Sequence, residues 1–321
     1  MVRITFKNVG QGDSILIEWK DNGEDKIGII DCNKFNGSNP VLDYLKGKGT
    51  KQIDFIILSH PHFDHFSGLG ELFNWCLSNE IKLNSFLITS HITPDYITTA
   101  LETATARSEI AQIFQLARKL RNREGTQIFT IDDNPNCIKK IGDWDLLFLS
   151  PSSIETDYYQ KDIKAFSREE EFHNHPNGNW LSTLIKLSKS EQCVLLTSDI
   201  ESSTLTRVKR QKRITEKIIL AQAPHHGSKK NHNSTFWCLN SRAPQAPIVI
   251  SVGENKYGHP SKHVLNDFEG LQFSIERTDQ SKANDNKKED YQDIIHALDF
   301  VSELIEDESR SSYGNDLVFN F

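Results

Sequence analysis

Six residues constrain this chain more than any others: His60-Pro61-His62-Phe63-Asp64-His65, directly after the apolar stretch Ile53-Asp-Phe-Ile-Ile-Leu58. The stretch predicts a buried strand over 53–58. A buried strand with a polar cluster at its C-terminal end is where α/β proteins usually place their chemistry. In a tight turn, alternate side chains face one centre. His60 and His62 are then set to ligate one cation, while Asp64 and His65 reach a second. Imidazole nitrogen and carboxylate oxygen suit zinc, and also manganese or iron. Four ligand-type side chains at this spacing are more than a polar loop gathers by chance. The twelve histidines also cluster elsewhere: His225 and His226 are adjacent, and His173 and His175 are one residue apart.

Composition bounds the function class. The 321 residues carry 37 Lys+Arg against 44 Asp+Glu, a formal net charge of −7, which argues against a uniformly basic DNA-coating surface. Ten acidic and four basic residues fall in 281–321, so that segment holds −6 of the −7 and leaves 1–280 nearly neutral. A charged fraction of 25% and an apolar fraction of 37% fit a folded globular chain. No run approaches the ~18 apolar residues of a membrane span. The N-terminus lacks the basic-then-apolar pattern of a secretion signal, and the five cysteines form no CxxC pair. The expected setting is therefore cytoplasmic, with reduced thiols and no membrane.

Along the chain, strands are predicted at 2–9, 14–19, 26–31, 83–89, 144–149, 183–187, 193–198, 216–222 and 247–252, with a terminal strand at 316–321. Helices are predicted at 41–48, 66–80, about 95–124, 201–213 and, in part, 288–306. The polar, aromatic-containing segment between 149 and 183 carries no clear signal. The domain reading is one hydrolase domain over 1–280 with a largely helical insertion at about 91–140. Residues 281–321 then form an acidic, partly helical segment whose last strand returns to the same domain.

The motif His60-x-His62-x-Asp64-His65 resembles the signature of the metallo-β-lactamase superfamily. Val9-Gly-Gln-Gly-Asp-Ser14, Leu195-Leu-Thr-Ser-Asp199, Pro224-His-His-Gly-Ser228 and Asn255-Lys-Tyr-Gly-His-Pro260 are similar to its ComEC-type branch, which includes the hydrolase domain of a DNA-uptake protein and related phosphodiesterases. Ile275-Glu-Arg-Thr-Asp-Gln280 resembles the same branch. The resemblance implies an α/β fold, a four-layer αβ/βα sandwich with metals at one edge. It implies that Asp199 bridges two divalent ions, zinc or alternatively manganese, and that His259 completes the second site with Asp64 and His65. His175 is a candidate third ligand of the first ion, although Asn179 and Ser182 match an Asn-x-x-Ser pattern often found without that histidine. Asp64, His225 and His226 would be catalytic, the two histidines facing substrate. Asp13 and Asp31 would orient ligands or simply shape turns.

Two such ions lower the pKa of a bridging water, and the hydroxide attacks phosphorus or carbonyl carbon without a covalent enzyme intermediate. The branch favours a phosphodiester, and so a nucleic acid or nucleotide. The basic run Arg207, Lys209, Arg210, Lys212, Arg213, with Ser228, Lys229 and Lys230, would bind phosphate if it lined one groove with the site. The alternative is a solvated helix end. Two other functions stay open: a hydrolase of a small ester, lactone, thioester or phosphocholine-type substrate, and a partner-regulated or non-catalytic subunit that keeps the fold. The acidic C-terminal segment is a candidate surface for a protein partner.

Overall fold

Strand residues alternate between two cores. In β5 (Phe55–Leu58), Phe55 and Ile57 pack into one apolar cluster while Ile56 and Leu58 pack into another. In β12 (Gln192–Leu196), Val194 and Leu196 join the cluster of Phe55, whereas Cys193 and Leu195 enter a third. Strands that are apolar on both faces must be covered on both, which dictates layers. The computed structural model describes residues 1–89, 101, 103–136, 138–166, 176–280 and 315–321.

The first sheet contains β1 (Val2–Phe6), β2 (Ile15–Asp21), β3 (Glu24–Ile30), β5, β7 (Ser85–Thr89), β8 (Gln127–Ile131) and β16 (Leu317–Asn320), in the order β16-β1-β2-β3-β5-β7-β8. A short pair, β4 (Gln52–Ile53) and β6 (Lys82–Leu83), lies apart. The second sheet contains β9 (Ile138–Ile141), β10 (Trp144–Phe148), β11 (Ile185–Lys189), β12, β13 (Lys217–Gln222), β14 (Pro247–Ile250) and β15 (Ser274–Arg277), in the order β15-β14-β13-β12-β11-β10-β9. Each sheet is part antiparallel and part parallel; β3-β5-β7-β8 and β12-β13-β14-β15 are the parallel runs. Parallel neighbours need crossovers, and these supply the helices of the outer layers.

Against the first sheet lie α1 (Pro40–Gly47), the single turn α2 (Phe63–Phe66), α3 (Leu69–Ser78) and α4 (Ala104–Glu124). Asn39 caps α1 by accepting from the Leu42 amide at 3.1 Å, with Pro40 in the first turn, where a missing N–H does no harm. In α3, Leu69, Leu72, Phe73, Cys76 and Leu77 make one buried stripe. Against the second sheet lie α6 (Ser202–Arg210), α7 (Ser234–Leu239) and α8 (Lys262–Gly270), while α5 (Ser153–Phe166) follows β10. The result is the mixed α/β arrangement of helix, sheet, sheet and helix layers.

Two segments gain detail. In the described part of 91–140, α4 covers the first sheet, and β8 and β9 are the outermost strands of the two sheets. The unassigned segment after 149 contains α5, whose Tyr159 is buried against Leu181. The terminal strand pairs antiparallel with β1, Leu317 opposite Phe6. The predicted helix at 288–306 and most of the acidic segment lie outside the described residues. No helix among the described residues is long and apolar enough to cross a membrane. Cys32, Cys76 and Cys193 are buried and Cys238 is exposed, all as free thiols.

Candidate metal centre

The C-terminal ends of β5, β12 and β13 meet at one edge of the sandwich, and each delivers acid or imidazole there. After β5, Ser59 and His60 are fully buried, and α2 starts with His62 at its N-cap, so Asp64 and His65 follow in its first turn. Gly12 lets the preceding loop close over this turn. Its φ is 132°, and a Cβ there would stand 2.3 Å from the Asp64 carbonyl oxygen and 2.3 Å from Asn33 Nδ2. After β12 comes Asp199, 2% exposed; after β13 come His225, 27% exposed in its side chain, and buried His226.

Four residues here hold left-handed backbone without being glycine: Asp31 (φ 60°), Ser198 (46°), His225 (47°) and His226 (55°). Such conformations cost on the order of 1–3 kcal/mol each and persist where surrounding structure imposes them, often at functional sites.

The donor atoms converge. Asp199 Oδ2 lies 3.7 Å from His60 Nε2, 3.7 Å from His65 Nε2 and 3.5 Å from His225 Nε2. His226 Nε2 lies 3.6 Å from Asp199 Oδ1 and 3.4 Å from Asp64 Oδ2, which in turn is 4.0 Å from His65 Nε2. His62 Nδ1 is 3.0 Å from His60 Nε2, next to these atoms but outside the converging groups. Asp13 also joins, in a group with Asp199 and His226. Two overlapping groups, His60/His65/Asp199 and Asp64/His65/His226, therefore share His65 and adjoin Asp199 on both sides.

The hydrogen bonds around the histidines fix which nitrogen faces inward. His226 Nδ1 lies 2.7 Å from the Ser251 carbonyl oxygen, which can only accept, so Nδ1 carries the hydrogen and Nε2 is left to the centre. His65 Nδ1 lies 2.7 Å from Asp31 Oδ2, which also accepts from the Ser59 hydroxyl at 2.6 Å, while Asp31 Oδ1 accepts from the Ser59 amide at 2.8 Å. His60 Nδ1 faces the Ser59 and Ser198 hydroxyls at 3.1 and 3.2 Å. This outer hydrogen bonding is the usual support for a metal-binding imidazole. Asn179 Nδ2 is 3.1 Å from His225 Nδ1 and steadies that ring. Gly178 makes room for His62, since a Cβ there would lie 2.6 Å from His62 Nε2.

Inside the centre, the buried atoms His65 Nε2, His226 Nε2, Asp199 Oδ1 and Asp13 Oδ1 have no hydrogen-bond partner among the described residues. Buried polar atoms are seldom left this way, and several aimed into one space fit a cation. Electrostatics agrees. Burial opposes charge on Asp199, yet His225, His226 and His65 hold its carboxyl well below the usual range. Burial likewise opposes charge on Asp64, but His65 and His226 bring it down to about 2. His226 is pushed up to about 9, the Asp199 and Asp64 carboxylates outweighing its burial. His65 rises well above its ordinary value against burial through Asp199, Asp31 and Asp64. His60 drops well below, through burial and then the neighbouring His65 and His62. The carboxylates thus draw positive charge into the site, and divalent ions would replace those protons. The donor set fits the group the motif implies.

The model of the metallo-beta-lactamase superfamily matches residues 8–76. That segment holds Asp13, Asp31 and the whole His60–His65 run. The two face-to-face sheets with helices outside are consistent with that superfamily's sandwich. No curated protein matches the chain. Among solved structures, the metallo-beta-lactamase fold protein YhfI from Bacillus subtilis is 15% identical, with 86% of this chain and 95% of that one covered and a TM-score of 0.46. A diphosphatase from the PhnP family is 9% identical over 86% of this chain and 94% of its own, TM-score 0.43. Zn(2+)-bound PqqB from Methylobacterium extorquens is 6% identical over 86% and 97%, TM-score 0.43. Asp199, His225 and His226 lie outside the matched segment and stand on geometry alone.

Several expected residues fall elsewhere. His259 is not in any converging group among the described residues; its ring packs beside His225 at 5.7 Å and Tyr257 at 6.0 Å, and His226 occupies the place foreseen for it beside Asp64 and His65. His175 and His173 lie outside the described residues, as does His91. The basic run does not form a groove with the site. Arg207, 4% exposed, bonds Glu155 at 2.6 Å, the Leu149 carbonyl at 2.8 Å and Asp133 at 3.2 Å. Arg213 binds the Asp133 carbonyl at 3.1 Å, and Lys209 the Leu239 carbonyl at 2.8 Å. Arg210 and Lys212 are exposed at the C-terminal end of α6, where positive charge complements the helix dipole. Ser228 is buried, and Lys229 and Lys230 are exposed just after it. Over the centre opens a cleft of about 490 Å³, with His62, Asp64, Asp199 and His225 on its floor and Phe63, Leu101 and Ala106 among its walls. No lysine or arginine is among its described lining residues. Sequence reasoning missed the supporting Ser59, Ser198, Gln222 and Ser251, whose types carry no metal signal.

Proposed function

We propose that this chain is a dinuclear metal-dependent hydrolase acting on phosphodiesters. The observation that carries the reading is the convergence of unpartnered, buried Nε2 and carboxylate atoms on one space beneath an open cleft. His60, His62 and Asp199 would hold one ion, and Asp64, His65, His226 and Asp199 the other. Zinc is favoured by the imidazole-rich donor set, with manganese the alternative. Bound there, the ions supply Lewis acidity: a lowered pKa for the attacking water and neutralisation of phosphoryl charge.

The chain's own groups do the rest. Asp31, Ser59 and the Ser251 carbonyl orient the histidines, so the donor atoms need little rearrangement. Asp13 receives the Gln222 amide at 2.8 Å and anchors the floor. His225, partly exposed at the base of the cleft and steadied by Asn179, is placed to donate a hydrogen bond to a phosphoryl oxygen or to the departing oxygen. Phe63, Leu101 and Ala106 give the cleft apolar walls that limit water. Support for a phosphodiester over a carboxylic ester comes from the Gly-Gln-Gly-Asp-Ser, Pro-His-His-Gly-Ser and Tyr-Gly-His-Pro motifs. The apolar walls and lack of described cationic lining favour a second reading, a small-ester hydrolase on the same floor.

One experiment separates the readings. Chelator-treated protein is reloaded with Zn²⁺ or Mn²⁺ and assayed on a chromogenic phosphodiester, on DNA and RNA, and on a p-nitrophenyl carboxylic ester. Metal-dependent phosphodiester cleavage that Asp199→Asn abolishes is the expected result. Turnover of the ester alone transfers the site to the second reading. Elemental analysis showing no bound metal after reloading defeats both.

A further inference from the structure

The sequence 254–260 forms a loop tied by one side chain. Asn255 Nδ2 donates to the Gly253 and His259 carbonyls, each at 2.8 Å, while its Oδ1 accepts from the Tyr257 and His259 amides, each at 3.1 Å. All of the amide's main hydrogen-bonding positions are thus used to shape the loop. Gly258 takes a φ of 70°, which turns the chain between Tyr257 and His259. The loop holds the Tyr257 ring 63% exposed at the edge of the cleft, near-parallel to the His259 ring at an interplanar angle of 26°. His259 in turn contacts His225.

Tyr257 also borders a second hollow of about 460 Å³, lined by Gln11, Glu254, Asn255 and Lys256. Gln11 and Tyr257 are common to both hollows, so the ring stands where they join. Lys256 Nζ lies 5.7 Å from the ring centroid, the one cation lining either hollow among the described residues. A large, exposed aromatic face on a loop fixed by four hydrogen bonds is pre-organised for stacking, with little ordering to be done on binding. A phosphate centre on one side, a π-face at the rim and an adjacent ammonium match a molecule that has an anionic ester and a planar ring.

We propose that Tyr257 determines substrate specificity by stacking a nucleobase, so that the site takes a phosphodiester bearing a nucleoside in preference to a simple alkyl phosphodiester. The inference rests on the phosphodiesterase reading and adds the substrate class. Stacking of a base on an aromatic side chain has a strength that corresponds to roughly 5- to 100-fold in affinity.

The test uses the full chain loaded with Zn²⁺, wild type, Tyr257→Ala and Tyr257→Phe. Hydrolysis of thymidine 5′-(p-nitrophenyl phosphate) is compared with that of methyl p-nitrophenyl phosphate, which shares the leaving group and lacks the base. Wild type prefers the nucleoside ester in kcat/KM; Tyr257→Ala reduces that preference by roughly 5- to 100-fold, and Tyr257→Phe restores it. Equal losses on both substrates would show that the ring merely props His259 and His225, and would overturn the proposal, as would an unchanged preference. Calorimetric binding of thymidine 5′-phosphate against methyl phosphate supplies a readout apart from turnover. If wild type cleaves neither ester yet prefers thymidine 5′-phosphate, and Tyr257→Ala loses that preference, the phosphodiesterase reading fails while Tyr257 remains the base-stacking residue. If wild type binds both phosphates alike, the assignment of Tyr257 is overturned.

Discussion

In the first sheet, His60, His62, Asp64 and His65 come from one six-residue turn, and a web of side chains behind it fixes their orientation: Asp31 on His65, Ser59 on Asp31 and His60. In the second sheet, Asp199 and the His225–His226 pair come from the ends of two separate strands, and backbone geometry does most to aim them: Ser198, His225 and His226 are all in left-handed conformation, with one side chain, Asn179, on His225 and the Ser251 carbonyl on His226. One half is local and supported by side chains. The other is assembled over a long stretch of chain and supported by the fold. The lesson is that the two halves should fail differently when perturbed: the first through lost orientation of otherwise intact ligands, the second through lost ligands or lost fold.

The largest effect is expected from Asp199→Asn, which leaves the backbone shape but weakens the carboxylate that the proposed function gives to both ions. Activity should fall on the order of 10³-fold or more, with metal content below that of wild type by elemental analysis. Retained full metal content would break the comparison. Next is Arg207→Ala, which strips Glu155, buried at 3% exposure, of its cation. Breaking such a pair costs about 3–5 kcal/mol, read by denaturant unfolding, whereas Arg210→Ala should move neither stability nor activity measurably. Asp31→Asn keeps a residue that accepts φ near 60° and removes the negative charge beside His65 together with one of the two acceptor oxygens. Metal affinity should drop about 10- to 100-fold by competition with a chelator, with little loss of fold. Gly178→Ala pushes on the far end of His62 alone, so a loss of about tenfold in kcat/KM with an almost unchanged Tm is expected.

The smallest effect concerns acid. Burial opposes ionisation of Glu155, but Ser152 and Arg207 hold its carboxyl below the ordinary value of 4.5. A depressed folded pKa means that its stabilisation is complete above pH ~4.5 and disappears as pH falls through the lower folded value. Unfolding free energies measured from pH 6 down to 3 should therefore decline less steeply in Arg207→Ala than in wild type.

What could be read from the sequence follows the same division. The His60–His65 turn was legible because its donors are contiguous and follow an apolar strand. So was Asp199, as an acid at a strand end. The sequence reading set His259 beside Asp64 and His65 and turned His226 to the substrate; the grouping of His226 with those residues depends on two positive φ values and on the Ser251 carbonyl, neither of which the sequence displays. For the basic run a phosphate groove and a solvated helix end both stayed open, since its count of charges is visible and the burial of Arg207 against Glu155 and Asp133 is not. Helix α5 was missed because its pattern is polar with scattered aromatics, and only Tyr159 shows which side packs.

The left-handed residues carry one further consequence, for protein engineering. Glycine, or asparagine to a lesser degree, relaxes such backbone positions, by about 1–2 kcal/mol each. A selection for thermostability alone would therefore drift toward Ser198→Gly, His225→Asn or His226→Gly, the very changes that dismantle the centre. In this molecule the most readily gained heat resistance and the retained chemistry compete for the same few positions.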